Sequence, residues 1–291
     1  MATLHERLAR AREALVSAGI DPAEAALDAE LLARHILGWD RARLLTDARE
    51  SAPPGFDDAF DLLVARRQAR EPVAHITGHR EFWGLDFEVT PDVLTPRPET
   101  ELIVEEALEQ YPEWKPGLIV DVGTGSGCLA VALALEFPQA QLIATDVSMA
   151  ALEVARRNAV RHGINHRIAF VQTDLFPCVG QIDLMVANPP YVAERDAALL
   201  PPEVREHEPR VALFAGPDGL AVYRRLLPEA RELIEEPNVS DGRLIVEVGY
   251  DQHAAVMALA AASGWALVRA RKDLQGITRT LVFRSEESRG C

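Results

Sequence analysis

The segment Gly117-Leu118-Ile119-Val120-Asp121-Val122-Gly123-Thr124-Gly125-Ser126-Gly127 restricts the fold of this 291-residue chain more than any other stretch. A β-branched strand runs straight into a glycine loop and then into the apolar segment that begins at Cys128. Glycines at 123, 125 and 127 let the backbone approach a ligand where a Cβ would collide. Alone, the pattern also fits dinucleotide folds, kinase loops and plain turns. The chain downstream narrows the choice. Strands are expected at 118–122, 141–145, 168–172, 182–187, 243–248, 265–270 and 278–284, alternating with helical segments. That order predicts an α/β fold with a doubly wound sheet, whose ligands lie beyond the carboxyl ends of its strands.

The residues at those carboxyl ends carry chemistry. Asp146 ends the second strand about 20 residues beyond the glycine loop, the spacing of a ribose-diol acceptor; it also fits an N-cap for the helix after it. Asp174 comes after the third strand and precedes Leu175. A carboxylate there can accept from an adenine amino group while Leu175 covers the ring, although an isolated Asp also suits an ordinary turn. The fourth strand ends in Asn188-Pro189-Pro190-Tyr191. Prolines fix much of the local backbone, so the Asn188 side-chain oxygen and the Pro189 carbonyl can converge on one NH2 group, with Tyr191 as a flat stacking face. An Asn can pair with a carboxamide or with an aminopyrimidine edge.

A glycine loop, two acids and Asn-Pro-Pro-Tyr, each after a successive strand, resemble an S-adenosylmethionine-dependent methyltransferase acting on a planar nitrogen. Further segments are similar to the peptide-chain-release-factor glutamine N5-methyltransferases of the HemK/PrmC type. They are Glu71-Pro72-Val73-Ala74-His75-Ile76-Thr77-Gly78, Phe82-Trp83-Gly84-Leu85, Thr95-Pro96-Arg97-Pro98-Glu99-Thr100-Glu101, and Lys272-Asp273-Leu274-Gln275-Gly276 with Arg279. DNA adenine methyltransferases share the Asn-Pro-Pro-Tyr motif but not these flanking segments.

The resemblance implies a seven-stranded Rossmann-like methyltransferase sheet. It implies cofactor binding by Asp121, Gly123, Thr124, Gly125, Ser126, Gly127, Asp146, Asp174, Leu175 and Asn188, with S-adenosylhomocysteine as product. Asn188, Pro189 and Tyr191 are the expected catalytic residues, and Asn188, Pro189, Pro190 and Tyr191 the expected substrate contacts; no metal is expected. The implied substrate is the glutamine of the Gly-Gly-Gln loop in class I release factors. Phe82, Trp83 and residues 97–101 fit either a pocket border or an aromatic plug followed by a proline-started helix.

Upstream, residues 1–70 read as a small helical bundle, with Leu4, Leu8, Ala11 and Leu15, then Leu27, Leu31, Leu32, His35 and Ile36, at helical spacing. Asp21-Pro22 starts its second helix, Gly38 ends it, and Pro53-Pro54-Gly55 precedes the next. His35 reads as a core or boundary residue. Under the resemblance this bundle docks the release factor, residues 71–98 form a β-hairpin linker, and 99–291 form the methyltransferase domain. Residues 193–216, rich in proline, read as a long loop.

Charge bears on the substrate. The net charge of −15 disfavours DNA, because phosphate neutralisation dominates nucleic-acid affinity. Residues 1–80 hold 11 Arg against 13 acids and are nearly neutral. Arg66, Arg67, Arg70 and Arg80 read as the solvated face of a helix, with an acidic protein partner as the alternative. Cys128, Cys178 and Cys291 lack metal-ligand spacing and a disulfide framework, which points to reduced cytoplasm. No leader or 18-residue apolar span is visible. The expectation is a cytoplasmic monomer with no nucleic-acid or membrane partner. Two other readings use the same residues: a DNA adenine-N6 methyltransferase and a non-catalytic S-adenosylmethionine-binding adaptor.

Overall fold

The computed structural model describes residues 2–112, 116–177, 182–234 and 242–285. Lys115, Cys178 and Cys291 lie outside them. The chain divides into two compact units, Met1–His79 with Pro201–His207, and Arg80–Leu200 with Glu208–Cys291.

The first unit is helical: α1 (Leu4–Ser17), α2 (Pro22–Leu37), α3 (Arg41–Thr46), α4 (Phe56–Gln68) and α5 (Val73–Thr77), joined by a short helix at Pro202–His207. Its starts follow from the sequence. Thr3 and Glu6 form a reciprocal capping box on α1, Asp21 caps α2 with Pro22 in the first turn, and Gly38 ends α2 in the left-handed region. Leu4, Ala11, Leu15, Leu32, Leu44, Phe56 and Phe60 fill the core, the two phenylalanine rings stacking 4.9 Å apart.

Three expectations fail here. Leu27 and His35 are exposed, because the inward stripe of α2 runs through Ala25, Ala29, Leu32 and Ala33. The arginine cluster is not a solvated face either. Arg67 is only 2% exposed, and its guanidinium donates to Asp28 and to Glu24, both at 2.7 Å. Arg70 donates to Glu203 at 2.6 Å and Arg66 pairs with Glu71. Residues 73–77, expected to belong to the linker, form α5.

The second unit opens with the hairpin strands β1 (His79–Phe82) and β2 (Leu85–Glu88). A 3-10 turn at Pro98–Thr100 leads into α6 (Glu101–Gln110). Then come β3 (Leu118–Val122), α7 (Cys128–Glu136), β4 (Gln141–Asp146), α8 (Met149–Arg161), β5 (Ile168–Gln172) and β6 (Leu184–Ala187). After α9, the Pro202–His207 helix, come α10 (Arg210–Leu213), α11 (Tyr223–Ile234), β7 (Arg243–Glu247), α12 (His253–Ala262), β8 (Trp265–Lys272) and β9 (Thr278–Ser285). The sheet order is β5-β4-β3-β6-β7-β9-β8, parallel except for β9 against its two neighbours.

All seven expected strands are present. One apolar cluster, including Phe82, Phe87, Ile103 and Leu133, covers one face of the sheet; another, including Tyr223, Leu226 and Trp265, covers the other. Burial on both faces explains why the central strands β3, β6 and β7 read as near-continuous apolar runs rather than alternating ones. The expected loop at 193–216 holds a 3-10 turn at Glu194–Leu199 and two short helices. Its prolines start structure rather than exclude it, since Pro202 opens α9 and Pro209 is the N-cap of α10.

Candidate active site

The glycine loop leaves β3 at Val122 and delivers the chain to the start of α7. Gly127, with φ +81°, is the N-cap, and a Cβ there would sit 2.9 Å from the Ala155 Cβ of α8. Only glycine allows α7 and α8 to meet this closely. Gly123, Thr124, Gly125 and Ser126 line a cavity at the carboxyl ends of β3, β4 and β6, whereas Gly127 is not part of its wall.

Asp121 is placed beneath the loop, outside the cavity wall. It is fully buried, and its Oδ2 accepts from the Thr124 hydroxyl at 2.6 Å and from the Ala130 N–H at 3.1 Å. Burial pushes its pKa up to about 7. A residue expected at the cofactor therefore shapes the loop that would hold it. The sequence could not separate these roles, because a strand's last residues alternate between core and rim.

Asp146 does reach the cavity. Its Oδ2 accepts from the Gly125 N–H at 3.0 Å and its Oδ1 from the Ser148 N–H at 2.9 Å. Each carboxylate oxygen keeps a second acceptor site, so a diol can still bind. Partial burial raises its pKa. The N-cap of α8 is Ser148, whose hydroxyl accepts from the Ala151 N–H, so the capping alternative for Asp146 falls away.

Asp174 and Leu175 also line the cavity. The Asp174 carboxylate lies near solvent and pairs with Arg225 at 2.9 Å. Leu175 holds φ +70°, a conformation unfavourable for a bulky side chain. The buried Thr145 hydroxyl donates to its carbonyl at 2.7 Å and so anchors the turn.

Strand β6 is wholly buried between β3 and β7, with Ala187 opposite Val122 and Val246. Asn188, Pro189 and Pro190 emerge from it into the cavity wall. Tyr191 does not join them. Its hydroxyl turns toward Glu247 Oε1 at 3.3 Å, and its ring packs where a Cβ on Gly249 would lie 3.2 Å from its Cδ2. Burial raises the phenol pKa above its ordinary value. Tyr191 thus supports the Asn188 loop through Glu247.

Thr100, from the segment expected at the pocket border, completes this corner with two residues that the sequence did not single out, Glu247 and Tyr223. Asn188 Nδ2 donates to Thr100 Oγ at 3.0 Å, and the Thr100 hydroxyl donates to Glu247 Oε2 at 2.6 Å. The Tyr223 hydroxyl donates to the Glu247 backbone carbonyl at 2.6 Å. Glu247 is fully buried, and desolvation pushes its pKa up to about 7. Elsewhere in the wall, Arg97 donates to the buried Glu208 at 2.6 Å.

The two flanking segments behave differently. Arg97 and Thr100 face the cavity, whereas Phe82 and Trp83 do not. Phe82 is 1% exposed in the core, and Trp83 donates its N–H to Glu101 and its indole N–H to Glu136, both at 2.8 Å. The Lys272–Gly276 segment is the β8–β9 turn. Asp273 fastens it by accepting from the Gln275 and Ile277 N–H groups and from Arg279.

Comparison with known proteins matches this arrangement. Residues 6–78 match the PrmC N-terminal domain and residues 99–201 the methyltransferase small domain. A release factor glutamine methyltransferase from Caulobacter vibrioides is 41% identical over 283 residues, covering 96% of each chain. This chain belongs to that family. A second release factor glutamine methyltransferase, from Geobacter sulfurreducens, is 41% identical over 96% of this chain and 95% of its own.

Among solved structures, the catalytic domain of hMettl16, in complex with the MAT2A 3′UTR hairpin 6, aligns with a TM-score of 0.59 at 16% identity, over 78% of this chain and 83% of that one. A ribosomal protein L11 methylase from Lactobacillus delbrueckii subsp. bulgaricus aligns with a TM-score of 0.50 at 22% identity, over 68% and 84%. These two share the Rossmann-like methyltransferase fold and speak to fold alone. The family's cofactor is S-adenosylmethionine, and the cavity suits it. Asp146 offers free acceptor sites for a ribose, Val147 and Leu175 offer apolar surface for a base, and Asn188 stands in the same wall.

Proposed function

We infer that this chain transfers a methyl group from S-adenosylmethionine to the side-chain amide nitrogen, N5, of the glutamine in the Gly-Gly-Gln motif of class I peptide chain release factors, in support of translation termination. The observation that carries this reading is the near full-length identity to release factor glutamine methyltransferases, together with an Asn188 amide that faces the cavity.

A glutamine amide nitrogen is a weak nucleophile because its lone pair is delocalised into the carbonyl. When bound, the cofactor supplies an electrophilic methyl group on a sulfonium. The protein's part is positioning. Asn188 Oδ1 and the Pro189 carbonyl accept the two N–H bonds of the substrate amide, orient the nitrogen and stabilise the positive charge that develops on it. Its proton can leave after transfer, so no strong base is needed. Pro190 fixes the backbone between Pro189 and Tyr191, and Tyr191 braces that loop through Glu247. Gly123, Thr124, Gly125 and Ser126 form the cofactor's cradle, Asp146 accepts from the ribose hydroxyls, and Leu175 covers the base with Asp174 at the mouth. Asp121 and Gly127 serve the cofactor indirectly, through the shape of the loop.

The helical residues 1–70 are assigned to docking of the whole release factor, 71–98 to a β-hairpin linker and 99–291 to the transferase domain. A cytoplasmic monomer acting without nucleic acid or membrane fits the acidic charge, and no helix among the described residues is long and apolar enough to cross a membrane. A DNA adenine methyltransferase would share Asn188 but would need a basic surface to meet phosphates.

The test incubates the protein and labelled cofactor with release factor, with the same factor carrying Ala in place of the Gly-Gly-Gln glutamine, and with DNA. Label on the first substrate alone is expected. Label on DNA overturns the substrate assignment, and label on nothing despite cofactor binding favours a non-catalytic adaptor.

A further inference from the structure

We propose that Thr100 and Glu247 are positioning residues that hold the Asn188 amide in one of its two orientations, with the carbonyl oxygen toward the substrate. This rests on the reading of Asn188 as the acceptor for the substrate N–H.

A carboxamide has nearly the same shape after a half-turn about its last bond, so packing cannot choose between its orientations. Hydrogen bonding must. The choice matters here because the flipped form would present an NH2 donor to a substrate nitrogen that itself needs acceptors. Thr100 has one hydroxyl proton. Glu247 Oε2, 2.6 Å away, takes it when the carboxylate is ionised, because that form can only accept. The Thr100 oxygen is left able only to accept, and Asn188 Nδ2 donates to it at 3.0 Å. Oδ1 is therefore on the opposite side of the amide. With Glu247 ionised, polarity passes along the chain from carboxylate to hydroxyl to amide without a free choice at any later link.

The surroundings of Glu247 fit the same purpose. It lies at the end of β7, whose Val246 is in register with Ala187, so strand pairing sets it beside Asn188. It is 1% exposed, and its side-chain partners are the hydroxyls of Thr100 and Tyr191. Burying a carboxylate without a hydrogen-bonded cation is costly. A glutamine would be cheaper to bury, but its NH2 could donate to Thr100 and free the Thr100 proton to point at Asn188 Oδ1. An acceptor-only side chain is what the lock requires.

The experiment compares steady-state methylation of whole release factor by Thr100→Val, Thr100→Ser, Glu247→Gln and Asn188→Ala, with calorimetric cofactor affinity and thermal unfolding of each. Valine copies the shape of threonine without the hydroxyl. T100V is expected to lose about 30-fold or more in kcat with KM and cofactor Kd within about threefold of wild type, and T100S to recover to within about threefold. E247Q, which keeps one acceptor, is expected to fall between them. Wild-type kcat in T100V overturns the proposal. So does a T100S as slow as T100V, which would assign the effect to packing of the methyl group, and so does a loss confined to KM or cofactor affinity. An active N188A would instead overturn the role of Asn188 itself, whereas an inactive N188A beside a normal T100V rejects only the lock.

Discussion

The helical unit buries Asp28 against a cation, whereas two buried acids of the sheet unit, Asp121 and Glu247, are met by neutral donors; Glu208 of the sheet unit, beside Arg97, follows the first pattern. In the helical unit Asp28 meets a cation, because the Arg67 guanidinium lies against it and also reaches Glu24. In the sheet unit Asp121 and Glu247 are buried as completely, yet their hydrogen bonds come from hydroxyls and a backbone N–H. An acid closed off by an arginine has its charge matched, and at Asp28 the pair joins α2 to α4. An acid held by hydroxyls near neutrality is poised between two states, and such groups concentrate where a fold sacrifices stability for chemistry. The Arg67–Asp28 pair serves helix packing, whereas Asp121 and Glu247 lie behind residues of the cavity wall, Thr124 and Asn188 among them.

The largest effect expected from this contrast is on stability. Arg67→Ala leaves Asp28 buried without its cation and should cost about 3–5 kcal/mol, read as a lower denaturation midpoint. A loss below about 1 kcal/mol would mean that water replaces the guanidinium and that the two units do not differ. Next comes the reacting end of the hydroxyl network. Asn188→Ala should lose roughly 2–4 kcal/mol of transition-state stabilisation, seen in kcat, with cofactor binding nearly intact.

The third effect is a pH dependence. Burial raises the Asp121 pKa from 3.8 to about 7, so the folded chain holds that proton more tightly than the unfolded chain. Its contribution to stability therefore falls as pH rises from the unfolded value toward about 7 and levels off above it. Asp121→Asn should remove from the wild-type profile a decline on the order of 4 kcal/mol, measured by denaturant titration at each pH. An unchanged slope would show that Asp121 has an internal counter-charge after all. The smallest effect tests a third kind of acid, Asp146, met by backbone N–H groups and open to the cavity. Asp146→Ala should weaken cofactor binding by roughly 1.5–3 kcal/mol in calorimetry, and unchanged affinity would leave it only a brace for the loop.

The sequence made the sheet legible because near-continuous apolar runs buried on both faces have few other solutions, and the strand ends hold the acids and the Asn188 motif where reading in order put them. It could not say which face an arginine takes: Arg67 and Asp28 are 39 residues apart, and only helix packing joins them. Nor could it pair Thr100 with Glu247, 147 residues apart, since that contact depends on β7 lying beside β6. Proline misled at 193–216 because the residue that breaks a helix interior also begins one. Tyr191 was legible as part of a motif but not in its direction, which the space above Gly249 decides.

The side chain of Asn158 joins parts of the chain that a motif map keeps separate. Its Oδ1 accepts from the Glu88 N–H at 2.7 Å, and its Nδ2 donates to the carbonyls of Glu88 at 3.0 Å and Ser126 at 2.8 Å. The hairpin is thereby tied, through α8, to the underside of the glycine loop, while Phe82 and Phe87 complete the core beside α7. For anyone trimming this protein, a cut at Glu99, where the methyltransferase small domain match begins, falls inside one compact unit that includes the hairpin. Cutting at Glu99 would strip Asn158 of both Glu88 partners and open the core beneath the loop. The hairpin is thus packed into the sheet unit and braces the glycine loop through Asn158.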